Sequence, residues 1–153
     1  MTLKKLTAFA TVFVLAIFLT ACSNGSESIR TFELEHDGIM TTMVYTSTGD
    51  KVTVQTTENV IQYDLVGLAS KEAAQEVFSP MIEQFQNIEG LTHKMAYDDS
   101  KAVETLTIDY ENVNFKEIEN LPGMAFSEGS TDKGVSMEKS VEVLESQGFT
   151  ELK

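Results

Sequence analysis

The N-terminus of the chain carries an apolar segment that ends at the only cysteine in the sequence. Lys4 and Lys5 precede the apolar residues 6–21, and the polar segment 23–28 follows Cys22. A positive start, a short apolar centre and small residues at its end are typical of a secretory signal, whereas a membrane-spanning helix needs about 20 apolar residues. A lone cysteine has no partner within the chain, so we expect the exported part to fold without a disulfide. It must be held together by a packed core.

Residues 19–22 have the sequence Leu-Thr-Ala-Cys, which resembles the lipobox of bacterial lipoproteins. In a lipobox, a branched apolar residue and two small residues precede the cysteine that is lipidated. The motif predicts that residues 1–21 are a cleaved lipoprotein signal peptide and that Cys22 is the lipidation site. It also predicts a lipid anchor in the cell membrane on the extracytoplasmic side. Residues 22–28 are then the acylated cysteine and a flexible spacer, and an uncleaved membrane helix is the alternative interpretation.

Length and charge limit the domain count and the partners. Removal of residues 1–21 leaves 132 residues, the length of one ordinary domain. We place this domain after the spacer, at residues 29–153. The chain has 11 basic and 24 acidic residues, and loss of Lys4 and Lys5 leaves 9 against 24, a formal net charge of −15. Such an excess repels phosphate backbones and anionic headgroups. We therefore expect a monomer that binds no nucleic acid and touches the membrane only through its lipid.

Alternation of apolar and polar residues predicts five strands. Three follow one another between residues 29 and 57, with turns at Asp37-Gly38 and at residues 48–50, and two lie between residues 93 and 110. In the third strand, Val52 and Val54 are expected on one face, with Thr53, Gln55 and Thr57 on the other. Residues 59–65 either extend this strand or begin the crossover to a helix.

A stripe of apolar residues at helical spacing predicts one helix over residues 70–90, capped by Ser70, kinked at Pro80 and stopped by Gly90. A short helix is expected at residues 114–120, and a last helix from Ser136 to just before Gly148, with a Schellman ending at this glycine. The order β-β-β-α-β-β-α-α predicts an α+β fold, with an antiparallel sheet of about five strands and helices packed on one face. The other face is expected to be rich in Thr and Glu and wet.

Side chains suited to metal binding or catalysis are few. The weak candidates for a metal site are His36, Met40, Met43, His93 and Met95, since imidazoles and thioethers suit copper. Methionine within a strand is more often core filler, so we expect neither a metal nor a cofactor. No nucleophile elbow or phosphate-binding loop occurs in the sequence. We expect a protein that is not an enzyme.

Two segments are candidates for an interaction surface. Gln55, Thr57 and Asn59 form a polar run in an otherwise alternating strand, while Met124 and Phe126 place apolar side chains in a predicted loop. Exposed apolar loops can mark binding surfaces. The alternative for the polar run is the wet face of the sheet, and the alternative for the loop is a small satellite core. Full burial of Phe126 would remove the loop as a candidate.

Several segments, in order along nearly the whole exported chain, resemble the YehR-like family of small bacterial lipoproteins, a family of unknown function. They are residues 49–53, 55–60, 97, 102–106, 109–111, 121–124, 132–137 and 148–149. The resemblance implies a compact α/β lipoprotein domain and assigns no catalytic or ligand-binding residue. We expect a non-catalytic lipoprotein that binds an envelope protein or a small ligand. A metal-handling protein, or an enzyme whose site is assembled from scattered residues, is the alternative.

Overall fold

One antiparallel sheet of six strands forms the framework of the protein. The computed structural model describes residues 25–124, 126 and 134–153, so the predicted signal peptide and Cys22 lie outside the described residues. The strands are β1 (Glu27–His36), β2 (Ile39–Thr48), β3 (Lys51–Gln62), β4 (Leu91–Tyr97), β5 (Lys101–Asp109) and β6 (Thr150–Leu152). Their order across the sheet is β4-β5-β3-β2-β1-β6. The predicted α+β class and antiparallel sheet are confirmed.

The first two strands form a hairpin around the predicted Asp37-Gly38 turn. Both turn residues have positive φ, 49° and 81°, the combination that suits the right-handed twist of paired strands. β1 begins at Glu27 rather than at Ile29, so it takes up the last two residues of the predicted spacer. β3 continues through Gln62, which shows that the segment after residue 59 extends the strand.

A β-bulge in β3 overturns the predicted faces of this strand. Thr46 of β2 pairs with Val54, whereas its neighbour Ser47 pairs with Val52, so Thr53 is an extra residue. An inserted residue reverses the alternation of side chains beyond it. Val52 therefore lies in the core with Ser47, while Val54 points to the opposite face. The same reversal turns the polar run that follows toward the core.

Helix α1 (Lys71–Gln84) begins as predicted and ends early. The Ser70 hydroxyl accepts a hydrogen bond from the Ala73 N–H, and the helix runs on through Pro80 as one element. It stops six residues before Gly90. The N–H of Phe85 bonds the Ile82 carbonyl in a tighter last turn, and Asn87 then takes a positive φ of 62°.

The last third of the chain holds the two predicted helices and one further strand. The sequence did not predict this strand. The helices are α2 (Phe115–Ile118) and α3 (Met137–Ser146). At the end of α3 the Phe149 N–H bonds the Leu144 carbonyl and the Gly148 N–H bonds that of Glu145, the Schellman pattern expected there. β6 then pairs antiparallel with β1.

The turn between β2 and β3 is joined to the start of α3. The Asp50 carboxylate accepts hydrogen bonds from the Glu138 N–H and the Ser136 hydroxyl, each at 2.8 Å. The Met137 N–H donates to the Asp50 carbonyl, and the Val52 N–H donates to the Val135 carbonyl. Two of the segments that carry the family resemblance, 49–53 and 132–137, therefore meet where residues 50–52 contact residues 135–138.

The helices cover one face of the sheet. Phe32, Val52 and Ile108 of the strands pack with Ile118 and Leu144 of the helices in the main core. A smaller cluster joins Ala74 of α1 to Ala102 and Tyr63. The opposite face carries no helix among the described residues. Within those same ranges, no helix is long and apolar enough to cross a membrane.

Candidate functional site: a cavity between the sheet and the helices

Polar side chains interrupt the apolar face of the sheet beneath the helices. Strand register places Thr41 of β2, Asn59 of β3 and Glu104 of β5 in one row, and Gln55 and Thr57 of β3 in the neighbouring rows. All five are on the same side of the sheet as Phe32 and Ile108. The predicted wet-face alternative for the polar run is therefore wrong, because the bulge at Thr53 shifts the alternation.

A cavity of about 400 Å³ lies above these polar residues. Its volume falls in the range of small-molecule sites. The polar floor consists of Thr41, Gln55, Thr57, Asn59 and Glu104. The apolar walls come from α1, α3 and the loop after α2, and they include Met81, Phe85, Met124, Phe126, Val143, Leu144 and Phe149. A polar floor beneath apolar walls suits a ligand that has both kinds of surface.

A chain of hydrogen bonds crosses four strands along the floor. The Thr41 hydroxyl donates to the Asn59 Oδ1 at 2.7 Å, and the Asn59 Nδ2 donates to the Glu104 Oε2 at 2.7 Å. The other carboxylate oxygen of Glu104 lies 2.7 Å from the His93 Nε2. The His93 side chain is fully buried and stacks on Phe85 with ring centroids 4.6 Å apart. The His93 ring contacts Glu104 outside the cavity, since Phe85 and Glu104 line the cavity and His93 does not.

A second hydrogen-bonded chain enters the floor from Tyr110. Its hydroxyl donates to the Gln55 Oε1 at 2.7 Å, and the Gln55 Nε2 donates to the Thr57 hydroxyl at 3.2 Å. Burial raises the pKa of Tyr110 and raises the pKa of Tyr45, another lining residue, to about 12. Both phenols are therefore neutral at physiological pH. Glu104 is then the one acidic group among the described lining residues.

The five residues predicted for an interaction surface come together in this cavity. Gln55, Thr57 and Asn59 form part of its floor, and Met124 and Phe126 form part of its wall. Phe126 is half-buried, so the loop remains a candidate, and it packs on the main core rather than on a satellite. Residues 127–133 of the predicted loop lie outside the described residues.

The five weak metal candidates are dispersed. His36 is at the β1–β2 turn, with 76% of its side chain exposed, and Met40 is on the helix-free face, paired with Glu35 and Val60. Met43, His93 and Met95 lie on the covered face, Met43 on β2 and the other two on β4. Within the described part of the chain, no group of three or more His, Cys, Asp or Glu converges on one point.

Thr41, Glu104 and Tyr110 belong to the cavity but were not predicted as site residues. Glu104 did carry a signal: it stands between Ala102 and Leu106 at a position where the alternation of β5 calls for an apolar residue. A charged residue on the inward face of a strand is uncommon and is paired when buried. Thr41 and Tyr110 give no such signal, because their roles depend on strand register.

Comparison with known proteins assigns the chain to a family. Residues 28–150 match the family model described as "Protein of unknown function (DUF1307)". This chain belongs to the DUF1307 family. The resemblance to YehR-like lipoproteins drawn from the sequence is confirmed by this match together with the matches to the E. coli lipoprotein YehR.

Relatives of this DUF1307 chain span its full domain. An uncharacterized lipoprotein of Listeria innocua, Lin0239, is 44% identical over 150 residues, covering 98% of this chain and 97% of that protein. The uncharacterized lipoprotein YehR of Escherichia coli is 33% identical over the same shares. The NMR structure of E. coli YehR superimposes with a TM-score of 0.75 at 32% identity, covering 86% of this chain and 94% of that one. The shared fold assigns no biochemical role.

Proposed function

We propose that this DUF1307 protein is a non-catalytic lipoprotein that binds a small ligand in the cavity between the sheet and the helices. The observation that carries the proposal is the convergence of Gln55, Thr57, Asn59, Met124 and Phe126 on one cavity of about 400 Å³. Its floor offers hydrogen-bonding groups held in place by their neighbours, and its walls offer apolar surface. Such a combination is typical of pre-formed small-molecule sites.

The stability cost of the polar floor supports a binding role. Burial of a polar side chain is unfavourable unless it finds a hydrogen-bond partner. A floor made only of apolar side chains would pack beneath the helices without needing hydrogen-bond partners. Thr41, Asn59, Glu104 and His93 are nevertheless joined across four strands. Ordered polar groups of this kind fix the orientation of a ligand.

Attachment to the cell membrane by lipid on Cys22, with the domain on the extracytoplasmic side, completes the proposal. The names of the relatives, uncharacterized lipoproteins, support the lipid anchor, and the sequence around Cys22 supports the site of lipidation. A Cys22→Ala variant should leave the membrane fraction, and protease added to intact cells should digest the wild-type domain. Retention of the variant in the membrane fraction would contradict lipidation, and protection from protease would contradict the side.

Ligand binding is tested with the mature lipoprotein in nanodiscs and a variant that fills the cavity. Val143 is exposed on α3 and lines the cavity, so Val143→Trp can insert an indole without disturbing the buried core. The matched control is Val77→Trp, at an exposed position of α1 that does not line it.

Each protein is incubated with a small-molecule extract of the native cells, washed and denatured, and the released compounds are identified by mass spectrometry. We expect a compound to be retained by the wild type and the Val77→Trp control and lost from Val143→Trp. Its addition should also raise the melting temperature, because a ligand that binds only the folded state stabilises it. Equal retention by Val143→Trp, or no retained compound at all, would refute the proposed function.

A further inference from the structure

The cavity floor contains a carboxylate that forms no ion pair with a lysine or arginine of the described residues. Only 12% of the Glu104 side chain is exposed. Its two oxygens accept one hydrogen bond each, from His93 and Asn59, whereas an ionised carboxylate can accept about four. Capacity for further donors therefore remains on the side that faces the cavity.

His93 makes a single hydrogen bond with Glu104. Its Nε2 lies 2.7 Å from the Glu104 Oε1, and its Nδ1 is buried and has no hydrogen-bond partner among the described residues. The ring therefore takes one acceptor position of the carboxylate and leaves the others open. The one basic residue in the described lining, Lys139, is exposed and forms no ion pair with Glu104.

The walls around this carboxylate suit an organic cation better than a metal ion. Five described lining residues are aromatic: Tyr45, Phe85, Tyr110, Phe126 and Phe149. Aromatic faces attract cations through their quadrupole, and more strongly where water is excluded. A calcium ion would need six to eight oxygen ligands. Glu104 is the one carboxylate in the described lining, and the neighbouring Asn59 and Thr57 oxygens already accept hydrogen bonds from Thr41 and Gln55.

We propose that Glu104 binds the positively charged group of the ligand, and that the ligand is an organic amine with an apolar or aromatic body. This assignment rests on the proposed small-ligand function. It gives Asn59 and His93 the role of holding the carboxylate in place, and it uses the aromatic walls for the ligand body. The net charge of −15 on the mature chain raises the local concentration of cations and favours the same class.

The test compares three probes that share one body and differ in the terminal group: 4-phenylbutylamine, 4-phenylbutanol and 4-phenylbutyrate. Dissociation constants are measured by ligand-observed NMR on the mature lipoprotein in nanodiscs, with the Val143→Trp protein as the background. We expect the amine to bind at least tenfold more tightly than the alcohol, and the acid to bind most weakly. In Glu104→Gln the difference between amine and alcohol should fall below threefold.

A matched control separates the site from the overall charge. Glu58 is exposed at the position next to Asn59, on the opposite face of the same strand, so Glu58→Gln removes the same charge and should keep the tenfold preference. Circular dichroism melts report whether each variant is folded. The comparison of the three probes on the wild type does not depend on whether Glu104→Gln folds.

The outcomes distinguish the cation site from the cavity function. If amine and alcohol bind the wild type equally, or if the preference survives in a folded Glu104→Gln, the assignment of Glu104 is overturned. Failure of all three probes to bind overturns it as well. In each case the cavity function is decided by the extract experiment with Val143→Trp, which does not depend on the charge of the ligand.

Discussion

Replacement of Asp50 by alanine should destabilise the fold. The Asp50 carboxylate accepts hydrogen bonds from the Glu138 N–H and the Ser136 hydroxyl at 2.8 Å, so it acts as a second capping group for α3, supplied by a distant turn. Loss of a helix N-cap costs about 1 kcal/mol, and loss of a negative charge near a helix N-terminus costs about 0.3–1 kcal/mol. We expect Asp50→Ala to lower the free energy of unfolding by about 1–2 kcal/mol.

Urea denaturation measures this effect. With a slope of about 2 kcal/mol per molar urea, the middle of the range for small domains, the midpoint should fall by about 0.5–1 M. The control is Asp64→Ala, since Asp64 is exposed and has no hydrogen bond to its carboxylate among the described residues. A midpoint for Asp50→Ala that equals the Asp64→Ala midpoint would refute the capping role.

The pH dependence provides a second check on Asp50. Its hydrogen bonds, first from the Glu138 N–H and then from the Ser136 hydroxyl, hold the pKa of its carboxyl below the ordinary value. A lowered folded-state pKa adds stability that is complete above the unfolded pKa of about 3.9 and is lost as pH falls through the folded value. The difference between wild type and Asp50→Ala should be constant near neutral pH and shrink below about pH 4. A difference that does not change with pH would show that the charge has no part in the cap.

Two further predictions concern β6 and a close backbone contact. Arg30 donates two hydrogen bonds to Glu151, at 2.6 and 2.7 Å, and these lower the pKa of the Glu151 carboxyl. Arg30→Gln should therefore speed amide exchange in β6 near pH 7, and the difference from the wild type should vanish as pH falls below the ordinary glutamate pKa of about 4.3. Unchanged exchange in Arg30→Gln would contradict the role of this pair. A Cβ on Gly90 (φ +76°) would lie 2.6 Å from the Val113 backbone nitrogen, whereas one on Gly123 (φ +77°) meets nothing within 4 Å. Gly90→Ala should therefore cost about 1–3 kcal/mol more than Gly123→Ala, as measured by urea denaturation, and equal costs would contradict the steric explanation.

Elements with short-range signals were predicted well from the sequence. The Asp37-Gly38 turn, the Ser70 cap and the Schellman end at Gly148 each depend on residues within a few positions of one another, and all are present. The predicted end of α1 at Gly90 was wrong, because the apolar stripe continues into a non-helical turn. Apolar periodicity reports which side chains are buried, and it does not require that the backbone remain helical.

Only part of the candidate site was predicted from the sequence. The polar run and the apolar loop were recognised as two separate surfaces. The alternative for the run was the wet face of the sheet, whereas the run lies on the face that the helices cover. The error came from the bulge at Thr53, which depends on how β3 pairs with β2. Glu104 was overlooked although it interrupts the apolar alternation of β5, since an acid in so acidic a chain attracts no notice by composition.

The sequence by itself determined the order of the main elements, because this order follows from local periodicity and turn residues. It also predicts one disulfide-free domain with lipid attachment at Cys22, since the chain has one cysteine. Only the tertiary structure decided the third-strand faces, the added β6 and the gathering of Gln55, Asn59, Glu104 and Phe126 around one cavity. Strand register joins residues that are tens of positions apart, and no pattern within a single segment encodes which partner it will meet. The chemistry proposed for this protein therefore depends on pairing between strands, whereas its fold class can be predicted from the pattern of each strand and helix.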